Sequence, residues 1–167
     1  MFFMKKGVLL VGMIFLGILA MPVHAEEFVI EDYTFTWHVV KFGGTTMEIQ
    51  KTPEALVVIL GRPSVPMCAV SLSPVQANAV GAMLNKTEDY YESQKKTDDP
   101  SSSDSLFSHN CEVNFSSKQG RDFKIRVKQK EMFGPVALLE RDEAIEVGKY
   151  LRQAEQMCSF ADKRIRP

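Results

Sequence analysis

Lys118, Arg121, Lys124, Arg126, Lys128 and Lys130 crowd one short stretch of this 167-residue chain. Phe123, Ile125 and Val127 alternate with Lys124, Arg126 and Lys128. On a strand this spacing places the apolar set on one face and the cations on the other, about 7 Å apart. The chemistry available to such a stripe is electrostatic: it could receive a polyanion, whether lipid head groups, cell-wall polymer or nucleic acid. Two considerations oppose that reading. Charged residues, lysine above all, also blunt an exposed edge strand against association, and Asp122 and Glu131 dilute the field. Single-strand nucleic-acid binding further uses aromatics interleaved with the charges, whereas Phe123 points to the other face.

The second group with chemical potential is Cys68, Cys111 and Cys158. In an oxidising compartment three cysteines read as one disulfide plus one thiol. A bond between Cys111 and Cys158 would staple the second long helix to its own sheet. A helix running back along the strand before it brings its late residues to the sheet end where Cys111 begins a strand. Such a bond closes a loop of about 47 residues and contributes about 2 to 4 kcal/mol. Cys68 with Cys158 is the rival pairing. A metal or thiol-enzyme reading uses the same region, with His109 two residues before Cys111, and Met67-Cys68 and Met157-Cys158 as soft copper ligands. The chain has no Cys-x-x-Cys and no His-x-x-x-His, and buried cysteines beside core methionines explain these residues without a ligand. His38 falls on the polar face of a strand. No nucleophile elbow, phosphate-binding glycine loop or close carboxylate pair occurs, and Glu140, Asp142 and Glu143 read as first-turn acids that favour a helix dipole. The sequence therefore offers no catalytic residue, cofactor site or metal ligand set, and an enzyme would need a site assembled from distant residues.

The chain opens with Lys5-Lys6, an apolar run from Gly7 to Met21, and Pro22-Val23-His24-Ala25. This is the secretory pattern, with cleavage expected after Ala25; the run is shorter than the roughly 20 residues of a spanning helix. No cysteine follows directly to carry a lipid anchor. Removing Lys5 and Lys6 leaves 18 of the 20 basic residues against 21 acidic ones, a balance that demands no anionic partner.

Elements that would position these residues follow from periodicity. Tyr33 to Val40 alternates as a strand, Gly43-Gly44 turns, Thr45 to Lys51 returns, Leu56 to Leu60 is an apolar strand, and Met67 to Leu72 is a fourth. Ser73 caps a helix with Pro74 at its first position and Gln76 as the reciprocal partner of a capping box. Its stripe, Ala77, Val80, Gly81, Leu84 and Tyr91, faces the sheet, and it runs to Lys95-Lys96. Residues 98–108 read as a polar linker. The second unit has strands around Cys111–Phe115, Phe123–Val127 and Val136–Leu139, then a helix from about Arg141 to Lys163. Leu72/Leu139, Ala77/Ala144, Val80-Gly81/Val147-Gly148 and Leu84/Leu151 align at one offset of 67 positions, an internal duplication. The expected fold is α+β: two tandem β-meander-plus-helix units, ββββα (residues 26–97) and βββα (residues 109–167), packed as one two-layer pseudo-duplicated domain.

The order of meander, apolar strand and helix, carried by Phe123 to Val127, Gly134-Pro135-Val136-Ala137-Leu138-Leu139 and the following helix, resembles the single-stranded-DNA-binding fold of the Whirly proteins and the positive-cofactor transcription coactivators. The resemblance is one of pattern over about two thirds of the mature chain. It implies a nucleic-acid-binding scaffold, while the export signal argues against a transcriptional role, and a fold does not carry a function with it. The sequence thus predicts an exported, non-enzymatic binding or accessory module of the cell envelope, periplasmic or secreted, with another envelope protein or polymer as partner. Polyanion binding through residues 118–130 is the alternative.

Overall fold

The computed structural model describes residues 32–130 and 134–164. The export segment and Glu131 lie outside the described residues. Four strands, β1 (Phe35–Phe42), β2 (Thr45–Lys51), β3 (Leu56–Gly61) and β4 (Ala69–Leu72), form an antiparallel sheet in sequence order. Helices α1 (Pro74–Leu84) and α2 (Thr87–Lys95) follow. A second sheet, β5 (Ser102–Ser108), β6 (Cys111–Lys118), β7 (Arg121–Gln129) and β8 (Val136–Leu139), has the same order, and α3 (Arg141–Leu151) and α4 (Ala154–Arg164) close the chain. The architecture is α+β, with each four-stranded meander followed by helices.

The duplication is stricter than the sequence suggested. β1 and β5, β4 and β8, α1 and α3, and α2 and α4 each begin 67 positions apart. The second unit therefore has four strands rather than three before its helices, and residues 102–108 of the expected linker are its first strand. Only Leu106 and Phe107 are large and apolar in Ser102–Ser108. The strand is held instead by its unbroken ladder to β6, by the Asn114 amide bonded to Ser103 and Ser105, and by Gln94 donating to Asp104 at 2.8 Å.

Each expected long helix is two helices. Asn85 and Lys86 separate α1 from α2, and the Thr87 hydroxyl donates to the Leu84 carbonyl at 2.6 Å, satisfying an acceptor that the break would orphan. Arg152 and Gln153 make the matching break between α3 and α4. The Ser73 capping box is formed on both sides, with Gln76 N–H donating to Ser73 Oγ at 3.2 Å and Ser73 N–H donating to Gln76 Oε1 at 2.9 Å.

The helix pairs cross over. α2 packs on β6, where Tyr90 stacks on Phe115 with ring centroids 4.5 Å apart. α4 packs on β3, its Phe160 ring lies 6.3 Å from Trp37 of β1, and its Asp162 receives the Lys51 ammonium of β2 at 2.9 Å. α1 and α3 meet between the sheets at Gly81 and Gly148. A Cβ on Gly81 would lie 2.7 Å from the Arg152 nitrogen and 2.9 Å from Leu151 Cβ, so the glycine admits the end of α3 rather than the sheet. One continuous core includes Met47, Ile49, Val58 and Leu60 of the first sheet and Val113, Phe115, Ile125 and Val127 of the second. The sheets adjoin along β4 and β8, where Val136 N–H donates to the Met67 carbonyl at 2.9 Å and the Gln129 amide to the Ser71 carbonyl at 2.7 Å. This leaves the outer edges of β1 and β5 without a strand partner among the described residues.

Candidate functional site

The basic stripe takes the faces its alternation predicts. Phe123, Ile125 and Val127 are buried, while Lys124 and Arg126 are exposed and Lys128 half-buried. Its strand, β7, is not an edge: it pairs with β6 on one side and β8 on the other. Guarding an open edge therefore does not account for these cations. Two of them are neutralised locally, Lys124 by Glu140 and Lys128 by Glu112 at 3.0 Å. Lys118 and Arg121 face each other across the β6–β7 hairpin, and Lys130 follows the end of β7. Arg126, between Asn114 and Leu138 on the outer face, has no ion pair among the described residues. With Ser103, Asn114, Ser116 and Lys124 it lines a shallow polar depression of about 500 Å³.

The cysteines stand apart from the expected pairing. All three are free thiols. A Cys111–Cys158 bond requires the second long helix to lie on its own sheet. Instead α4, which carries Cys158, lies on the first sheet, whereas Cys111 opens β6 of the second. Cys111 and Cys158 are each 1% exposed, and burial pushes both thiols up, Cys158 to about 11. Both are poor nucleophiles at neutral pH. His109 sits in the β5–β6 turn at φ 48°, its Nδ1 2.9 Å from the Ser108 hydroxyl. No cluster of three or more His, Cys, Asp or Glu residues among the described residues could hold a metal ion. His38 lies on the outer face of the first sheet, its Nδ1 3.1 Å from Glu48 Oε1, with its side chain largely exposed.

Glu143 lies in the first turn of α3, as expected, and does more there than favour the dipole. It is buried, and one oxygen accepts Gly44 N–H at 2.7 Å while the other accepts the Thr45 hydroxyl and Glu140 N–H, each at 3.0 Å. Burial raises its pKa, but these hydrogen bonds and the nearby Arg62 guanidinium outweigh that and hold the carboxyl below its ordinary range. Gln76, its counterpart on α1, donates to the His109 carbonyl at 3.1 Å. Each capping-box residue thus ties its helix to the hairpin turn of the other unit. These bonds latch the crossed helices, with both Glu143 oxygens engaged by donors of the protein itself.

A groove of about 570 Å³ lies between α1 and the end of β5. Val75, Ala79, Ala82 and Met83 line one wall, Leu106 and Phe107 the other, and Lys86 and Arg152 stand on its rim. Val75 and Phe107 are 46% and 62% exposed. The spacing from Val75 through Ala79 and Ala82 to Lys86 is a full helical stripe, separate from the buried one of Ala77, Val80, Gly81 and Leu84. The duplication supplies an internal control, because the same positions are Asp142, Glu146 and Lys149 on α3 and Gln153 in the break after it. The fold therefore does not require an apolar wall there. A second apolar stripe on α1, absent from its copy, was the sequence signal that the core-facing pattern concealed.

No protein-family model matches the chain, and no curated protein matches it. Among solved structures, it is similar to a protein of unknown function from the DUF155 family of Prochlorococcus sp. NATL2A. The identity is 13% and the TM-score 0.46, over 73% of this chain and 98% of that one. At that score the likeness bears on neither family nor function.

Proposed function

We propose that this protein is an exported, non-enzymatic accessory module of the cell envelope that binds another protein through the groove between α1 and β5. The observation that carries the reading is the apolar wall of Val75, Ala79 and Ala82, where the duplicate helix carries Asp142, Glu146 and Lys149; Met83 beside them matches the apolar Tyr150. Exposed apolar surface costs solubility and persists where something covers it. The export half of the proposal rests on the Lys5-Lys6, Gly7–Met21 and Ala25 pattern.

The test places a photo-crosslinking residue at Ala82, and separately at the matching position Lys149, in the protein expressed with its full N-terminus. Cell fractionation and the N-terminal mass establish whether it is exported and begins at Glu26. The expected result is a discrete protein adduct from position 82 that disappears with Ala79→Glu. Equal adducts from positions 82 and 149, or none from 82, would reject the groove.

A second reading, polyanion binding on the outer face of the second sheet, is favoured by Arg126, which has no ion pair among the described residues and lies on a strand with no edge to protect. Its measure is the salt dependence of binding to heparin and to anionic vesicles. Arg126→Glu should weaken both and flatten the salt slope by about one. An unchanged slope removes this reading.

A further inference from the structure

We infer that the groove receives its partner as an added β-strand: an extended polypeptide pairs with the free edge of β5 and lays alternate apolar side chains against α1. The inference rests on the protein-binding reading above and specifies how the partner is held. Its first support is the edge itself. β5 offers seven residues in unbroken register with β6, and Ser102–Ser108 contains no lysine, arginine, proline or bulge; its one charge, Asp104, accepts the Gln94 amide. Natural sheets ordinarily defend an open edge by one of those devices. The duplicate edge does so: β1 has a register shift between His38 and Val40, and Lys41 beyond it. Of two edges at equivalent places in one fold, one carries a bulge and a lysine, while the other carries only Asp104, has no strand partner among the described residues and adjoins the apolar wall.

The second support is the match between groove and strand. A strand added beside β5 directs every other side chain towards the helix layer. That layer offers Val75, Ala79, Ala82 and Met83. Backbone hydrogen bonds to β5 would supply affinity, and these residues would select for apolar side chains at alternate positions. Charge selects the remaining feature. Gln76 of α1 donates to the His109 carbonyl at 3.1 Å, so the start of α1 lies by the end of β5 and Lys86 lies at the far end of the helix. Lys86 and Arg152 have no ion pair among the described residues, and the nearby Glu155 accepts the Asn78 amide at 2.6 Å. This end of the groove is net positive. The occupant is thus an extended segment with alternating apolar residues and a carboxylate, from an acidic side chain or a chain end, beside Lys86 and Arg152.

The experiment uses the purified protein and labelled nine-residue peptides of alternating Val/Leu and Ser/Thr that end in Glu. Two further versions are N-methylated on alternate amides, one in each register. Fluorescence anisotropy reads affinity, and hydrogen exchange reads the amides of Ser102–Ser108. The expected results are binding, slowed exchange in β5, and at least tenfold loss for one N-methyl register only. A lysine-ended peptide should bind several-fold more weakly at low salt. Ala82→Glu should abolish binding, while Lys149→Glu, on the equivalent face of α3, should leave it unchanged. Equal affinity of both N-methylated registers, or no protection in β5, overturns strand addition yet leaves a groove that captures protein in the crosslinking test. No binding by any peptide overturns the inference as well, and self-association of the protein through β5 identifies a second copy as the occupant instead.

Discussion

Replacing Glu143 tests the latch on which the crossed arrangement depends. Its carboxylate takes the Gly44 N–H, the Thr45 hydroxyl and the Glu140 N–H, with Arg62 3.8 Å away. A hydrogen bond to a charged group contributes about 1.5 to 3 kcal/mol, but such bonds are not additive, and donors at a turn regain some water when released. Glu143→Ala, which strands all three donors, is expected to lower unfolding stability by about 3 to 5 kcal/mol. Glu143→Gln keeps one acceptor oxygen and the shape, and should cost about 1 to 2 kcal/mol. The pH dependence gives a sharper test. The folded pKa lies below the ordinary value, so the stabilisation is complete above the unfolded pKa of about 4.3 and is lost as pH falls through the folded value. Urea unfolding from pH 7 to pH 3 should show the wild-type advantage over Glu143→Gln constant down to about pH 5 and shrinking below it. If Glu143→Gln matches wild type at pH 7, or the gap does not narrow on acidification, the carboxylate is not the latch.

Gly81→Ala adds a methyl group into contacts of 2.7 to 2.9 Å with the Arg152 nitrogen and Leu151. The intrinsic gain of alanine in a helix, about 1 kcal/mol, should be exceeded by overpacking, for a net loss of up to about 2 kcal/mol in urea unfolding. Gly148→Ala meets its nearest neighbour, Leu84 Cβ, at 3.2 Å and should be milder in the same assay. Thiol labelling followed by mass spectrometry should modify Cys68 in the native protein and all three cysteines after unfolding without reductant; a single reactive thiol in the unfolded chain would restore the disulfide. Ser73→Ala should cost about 1 kcal/mol in thermal unfolding through loss of the α1 cap; no change would mean the Gln76 contacts hold that end alone.

Local physics made much of this molecule legible before any tertiary contact was known. Phe123, Ile125 and Val127 declared the buried face of β7, Ser73-Pro74-x-Gln76 declared the start of α1, and the 67-position match placed β4, β8 and the helix starts, because strand alternation, capping and helical periodicity are each satisfied within a few residues. The same offset carried back to Phe35 lands on Ser102 and would have revealed β5, whose serines otherwise resemble a linker. What the sequence could not decide is which sheet each helix covers. An apolar helix stripe fits either sheet equally well, and the choice is made by Gly81 against the end of α3 and by Gln76 and Glu143 reaching the opposite hairpins. That choice separates Cys158 from Cys111 and makes Glu143 a buried latch. Strand order likewise decided that β7 is internal and that β5 has no outer strand partner among the described residues, since neighbours distant in sequence determine which backbone edge is paired. The pairing of that β5 edge with a second apolar stripe on α1 exists only once the first unit's helix lies beside the second unit's sheet.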